Sequence, residues 1–147
     1  MEETIILQTQ SISIGYHNKK VSSLVAKAVS IALKKGKLTA LIGANGIGKS
    51  TLLKTITGIQ TPIMGDVLLH GKNIATYNVS DLSQEMSLVL TEKLPPSNLT
   101  VYELVALGRQ PYTNWIGTLT EEDKIQVERA LSLTQISHLA DKKHYQI

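Results

Sequence analysis

Gly43-Ala44-Asn45-Gly46-Ile47-Gly48-Lys49-Ser50-Thr51 decides the reading of this chain. The stretch matches G-x-x-x-x-G-K-[ST] in full and lies between an apolar run at 38–42 and a helix-compatible stretch at 52–56. Strand, glycine-rich turn and helix in that order make a phosphate-binding loop, so a nucleoside triphosphate site is expected here. The other reading of the same residues is a glycine-rich turn capped by a lysine.

The spacing follows from the chemistry of phosphate. Gly43, Gly46 and Gly48 permit backbone angles that a side chain forbids, so successive N–H groups can turn inward as a concave nest. Ala44, Asn45 and Ile47 fill the intervening positions and contribute backbone rather than side chains. A helix starting near Lys49 directs the positive end of its dipole at the same anion. Lys49 supplies an ammonium for the β- and γ-phosphate oxygens, Ser50 a hydroxyl suited to Mg²⁺, and Thr51 an α-phosphate contact. ATP with Mg²⁺ is the expected ligand.

Composition bounds the rest. A chain of 147 residues with 42% hydrophobic and 18% charged content has the make-up of a folded globular protein. Apolar runs stay well short of the ~18 residues of a membrane span, and Met1-Glu2-Glu3-Thr4 lacks the basic start of a signal peptide, so a cytoplasmic location is expected. With no cysteine, and with His17, His70, His138 and His144 scattered, no metal-ligand spacing stands out. The net charge of +3 is uneven: eight lysines precede Gln60 against two acids, and seven basic residues oppose ten acidic ones beyond it. Lys34, Lys35 and Lys37 around Gly36 read as a solvated hairpin turn, and without interleaved aromatics no nucleic-acid partner is expected.

Period-two alternation at 5–14 and 28–33, clearest in Gln10-Ser11-Ile12-Ser13-Ile14, predicts a small antiparallel sheet ahead of the loop. Gly58 ends the first helix, Pro62 and Gly65 mark a turn, and 66–70 forms a strand closed by Gly71-Lys72-Asn73. A short helix starts at Asp81, capped by Ser80, before the apolar run 87–90. Thr100 to Glu103 is a capping box opening a helix that stops near Gly108 and Pro111. Thr120 to Asp123 opens another, with Val127, Ala130, Leu131 and Thr134 on one stripe.

These pieces together resemble the nucleotide-binding subunit of ATP-binding cassette (ABC) transporters. The likeness is carried by Tyr16 in Ser13-Ile14-Gly15-Tyr16, the loop with Leu52-Leu53-Lys54, the stretch from Gly58 to Val67, and Leu69-His70-Gly71-Lys72-Asn73-Ile74. The stretch from Leu99 to Tyr112, then Leu119 to Asp123 and His138-Leu139-Ala140-Asp141, is similar to the subgroup serving iron–siderophore, haem and cobalamin importers. The resemblance implies an α/β P-loop NTPase core (residues 1–92 with an N-terminal antiparallel β-subdomain) and the start of a helical subdomain at 93–147. It implies Tyr16 stacked on adenine, with a core tyrosine at a strand end as the alternative. It also implies a surface at 109–115, with Arg109, Tyr112 and Trp115, that receives a membrane permease subunit; ordinary core packing is the alternative for each aromatic. A second ATP-binding subunit and a peripheral position on the cytoplasmic face of the inner membrane complete what it implies.

Two departures from the family pattern stand out. The family has a Mg²⁺-contacting glutamine after the strand spelled by 87–90; this chain has Thr91, a shorter side chain, and Gln84 comes too early. The 147 residues stop at Ile147, about where a Leu-Ser-Gly-Gly signature should begin, with no aliphatic run into an Asp-Glu pair and no switch histidine. The chain therefore reads as the front half of an ATPase, its C-terminal half missing and no catalytic set complete. A non-catalytic nucleotide-binding or interaction fragment is the rival reading. A small P-loop kinase is a third, with Arg109 and Arg129 as its only support.

Overall fold

The computed structural model describes residues 4–18, 21–89, 92 and 94–147. They fall into two compact units, Met1–Leu88 and Val89–Ile147.

The first unit is built around one long strand. β1 (Ile5–Asn18) pairs antiparallel with β2 (Val21–Val29) over its second half and with β3 (Ala32–Lys34) and β4 (Met64–Leu69) over its first. β4 pairs in turn with β5 (Lys72–Asn73) through a two-residue turn, His70-Gly71, whose φ values of 50° and 78° are the left-handed pair such a hairpin needs. The expected antiparallel sheet is therefore present, with one difference. The 28–33 segment is two strands, because Ala28 has φ 55° and the buried Thr9 hydroxyl wedges between them, donating to Val29 O at 2.9 Å and accepting from Ile31 N at 3.0 Å.

Alternation along β1 also slips. The register shifts between Gln10 and Ser13, so Ile12, Ser13 and Ile14 are all buried. Gly65, read as a turn residue, lies inside β4 opposite that bulge. Its φ is 78°, and a Cβ there would meet Gln10 O at 2.4 Å, so backbone packs where a side chain would stand.

Against this sheet lies α1 (Lys49–Ile56), burying Thr51, Thr55 and Ile56. Ile56 joins Leu7, Ile12, Ile14, Val67, Leu69 and Ile74 in one core. Gly58, at φ 78°, turns the chain off the helix after Thr57. α2 (Val79–Glu85) begins two residues earlier than the sequence suggests, because Asn78 rather than Ser80 caps it, its side chain accepting from Asp81 N at 2.8 Å. The run at 38–42 forms no strand: its residues belong to no regular element and are exposed, with Leu38 fully accessible. A strand exists only with a ladder partner, and none pairs with this segment among the described residues. The described part of the run at 87–90 is likewise without a ladder.

In the second unit both capping boxes form. α3 (Val101–Ala106) starts with Thr100 N–H donating to Glu103 Oε2 at 2.7 Å and Glu103 N–H to Thr100 Oγ1 at 3.1 Å. It tightens to a 3₁₀ turn at Leu107–Tyr112 that passes through Pro111. α4 (Glu121–Leu133) packs Val127 and Leu131 on Val101. Thr134, placed on that stripe by the sequence, is exposed, and its hydroxyl bonds Ala130 O instead. His144 has a structural part the sequence did not signal: Nε2 lies 3.2 Å from Pro95 O and Nδ1 3.3 Å from Ser97 Oγ.

Candidate nucleotide site

The loop at 43–51 stands at the start of α1 with the geometry that anion binding needs. Gly46 and Gly48 have φ of 80° and 105°, and Gly48 is the helix N-cap. A Cβ on Gly48 would lie 2.2 Å from Val25 Cγ1, so β2 presses the loop where only glycine fits. Gly43 differs from expectation: its φ is not positive, and its constraint is a tight contact, with a Cβ falling 3.3 Å from Ile47 Cγ2. Backbone freedom is thus required at two of the three glycines.

Lys49 reaches back over the loop. Its ammonium donates to Gly43 O and to Ala44 O, each at 2.7 Å, so a cation already sits over the turn. Asn45 and Gly46 form the turn beneath it, and the Ile47 side chain is exposed. Ser50 is exposed in the first helical turn, a hard oxygen donor beside the helix N-terminus. No cluster of three or more His, Cys, Asp or Glu side chains that could hold a metal occurs among the described residues. A divalent cation here would therefore be held by a hydroxyl and by phosphate oxygens, a donor set that suits Mg²⁺.

Thr51 is buried, and its hydroxyl lies 3.1 Å from the Tyr16 phenol oxygen. Tyr16 stands near the end of β1, opposite Ser23 on β2, and is 57% exposed. Its ring is accessible while its hydroxyl touches the phosphate-loop helix. The sequence named both residues but carried no signal that they meet across 35 positions.

The other candidates lie in the second unit or beyond description. Thr91 falls outside the described residues. The Arg109 guanidinium is not a free surface cation: Nε donates to Asp123 Oδ1 at 2.8 Å, and the group stacks 4.0 Å above the Tyr112 ring. Three donors converge on Asp123. The Thr120 hydroxyl, then its backbone N–H, then Arg109 hold the carboxyl below the usual aspartate range. Tyr112 is half exposed and Trp115 is 94% exposed, so the indole packs on nothing in its unit. A hollow of about 250 Å³ in the same unit is lined by Tyr102, Ala106, Leu107, Thr113 and Leu119 but by neither of these aromatics. No helix among the described residues is long and apolar enough to cross a membrane.

A family model described as ABC transporter matches residues 26–147. The chain belongs to that family. It is 37% identical over 136 residues to the iron(3+)-hydroxamate import ATP-binding protein FhuC of Bacillus subtilis, covering 92% of this chain and 49% of the relative. It is 35% identical over 141 residues to the ferric enterobactin transport ATP-binding protein FepC of Escherichia coli, covering 96% and 51%. A solved nucleotide-free ATP-binding cassette from an ABC transporter superposes with a TM-score of 0.75 at 29% identity, covering 98% of this chain and 59% of that one. The fold is that of an ABC ATPase, and the chain spans about half the length of the curated relatives it matches.

Proposed function

We propose that this chain is the nucleotide-binding part of an ABC importer's ATP-binding subunit, and that its cargo is a metal chelate of the iron–siderophore, haem or cobalamin class. The observation that carries the nucleotide reading is the loop at the head of α1, where two left-handed glycines, a helix N-terminus and the Lys49 ammonium converge. Phosphate oxygens would displace the Gly43 and Ala44 carbonyls from Lys49, exchanging neutral acceptors for charged ones. Ser50 would hold Mg²⁺, which supplies charge neutralisation along the phosphates. The Tyr16 ring would stack on adenine. The cargo class is supported by the relatives above, named for hydroxamate and enterobactin transport.

In this reading Tyr112 and Trp115 form the face offered to a permease subunit, since exposed aromatics suit a protein interface, while Arg109 stiffens that face by stacking on Tyr112. A second ATP-binding subunit and a place on the cytoplasmic membrane face belong to the same proposal. Equilibrium titration of ATP with and without Mg²⁺ tests its first step. Binding should be saturable and strengthened by Mg²⁺, and Ser50→Ala should remove that strengthening while leaving metal-free binding intact. No saturable binding at millimolar ATP would contradict it.

A further inference from the structure

Hydroxyls on the helices of this chain usually turn back on their own backbone. Thr55 donates to Thr51 O at 2.8 Å, and Thr57 and Thr134 at helix ends donate to Leu53 O and Ala130 O. The Thr51 hydroxyl instead meets the Tyr16 phenol at 3.1 Å, a partly buried contact between a buried threonine and an exposed tyrosine. Each partner has one proton, and either order of donation fits the distance alone. Chemistry separates the two orders. A phenol, with its pKa near 10, is a much better donor than an aliphatic alcohol. A phosphate oxygen accepts and cannot donate. Only when Tyr16 donates to Thr51 Oγ1 is the threonine proton left for an acceptor at the head of α1.

We propose that Tyr16 is a positioning residue for phosphate as well as a platform for the base: its phenol donates to Thr51 and so turns the Thr51 proton toward the α-phosphate. The inference rests on the ATP-binding reading above. It assigns two tasks to one side chain, the exposed ring to the base and the hydroxyl, through Thr51, to the triphosphate. The ring needs only a π-face, so the hydroxyl task is separable from it by removing one oxygen.

The test is a double-mutant cycle on ATP affinity by calorimetry, with Tyr16→Phe, Thr51→Val and the double variant, and a thermal melt on each as a check of folding. Tyr16→Phe should weaken ATP binding about three- to tenfold, the range expected for one hydrogen bond to a ligand contact. In the Thr51→Val background the same change should have no further effect, because no hydroxyl remains to be oriented. Thr51→Ser, which keeps the hydroxyl, should restore sensitivity to Tyr16→Phe. A purely structural tyrosine would lower the melting temperature and leave the cycle additive. Wild-type binding that Tyr16→Phe leaves equal or tighter would overturn the relay and leave the ATP reading standing. An additive cycle would do the same. A wild-type chain that binds no ATP would overturn both.

Discussion

Gly48 concentrates the residue-scale demands of the site. It caps α1 at φ 105°, a conformation open to glycine, and its Cα faces Val25 so closely that a Cβ would overlap Cγ1 at 2.2 Å. Strain of this kind costs on the order of 1–3 kcal/mol before the overlap is counted. Gly48→Ala should therefore lower the thermal midpoint of the chain and abolish ATP binding; an unchanged melt would show that loop and β2 are not pressed together. Tyr16 is the second residue whose change is informative. Tyr16→Ala removes the whole ring, a loss of roughly 1–3 kcal/mol for a stacked base, and should weaken ATP more than Tyr16→Phe does. Tyr16→Trp should fall between, keeping a π-face without the phenol. Fluorescence titration with ATP checks the order, and a folded Tyr16→Ala variant of wild-type affinity would return the tyrosine to a structural part.

At the scale of elements, the helices of the second unit owe their starts to local chemistry. In α4 the Thr120 hydroxyl accepts from Asp123 N–H and donates to the Asp123 carboxylate, while Arg109 reaches the same carboxylate from the preceding 3₁₀ turn. Thr120→Ala should cost about 1 kcal/mol, the usual worth of an N-cap, read as an earlier melt. Asp123 also gives this unit an acid limb. Its carboxyl is held below the ordinary range when folded, so the unfolded state binds the proton more readily. Its contribution to stability is full above the unfolded pKa, near 4, and is lost as pH falls through the lower folded value. Chemical denaturation at pH 7 and pH 3 should show wild type losing more stability than Asp123→Asn; equal losses would place the acid sensitivity elsewhere. These capping boxes were legible in the sequence because everything that makes them lies within four residues. The cap of α2 was misplaced because Asn78 and Ser80 are both competent caps two positions apart, and only the bond to Asp81 N separates them. Gly65 was misread for a related reason. A glycine in a strand and one in a turn look alike until the opposing Gln10 carbonyl is seen.

On the scale of the whole molecule, the informative feature is the segment 38–42 that leads into the loop. Its apolar composition is that of a strand, yet Leu38 and Ile42 are exposed and no ladder partner exists among the described residues. Composition reports a preference for burial, whereas pairing depends on a partner that local sequence cannot name. The shape of the loop, by contrast, was legible at Gly46 and Gly48 but not at Gly43, whose φ is not positive, and what the sequence withheld besides was the contact of Tyr16 with Thr51 from β1. An unpaired apolar segment invites pairing with another chain. A 147-residue polypeptide of this sequence should thus self-associate with rising concentration, seen by light scattering, and Leu38→Lys with Ile42→Lys should reduce it; a monodisperse wild type would contradict this.

Calorimetric titration of Mg²⁺–ATP into the wild-type chain and into Lys49→Ala decides whether residues 43–51 bind the triphosphate. The ammonium that now bridges Gly43 O and Ala44 O is the mobile counter-charge of the loop, and charge-assisted contacts of this kind are worth roughly 1.5–3 kcal/mol each. Recognition of the triphosphate by this loop requires saturable binding by wild type and an affinity lower by one to two orders of magnitude in Lys49→Ala, with both proteins melting alike. Equal affinity in the two proteins would contradict it.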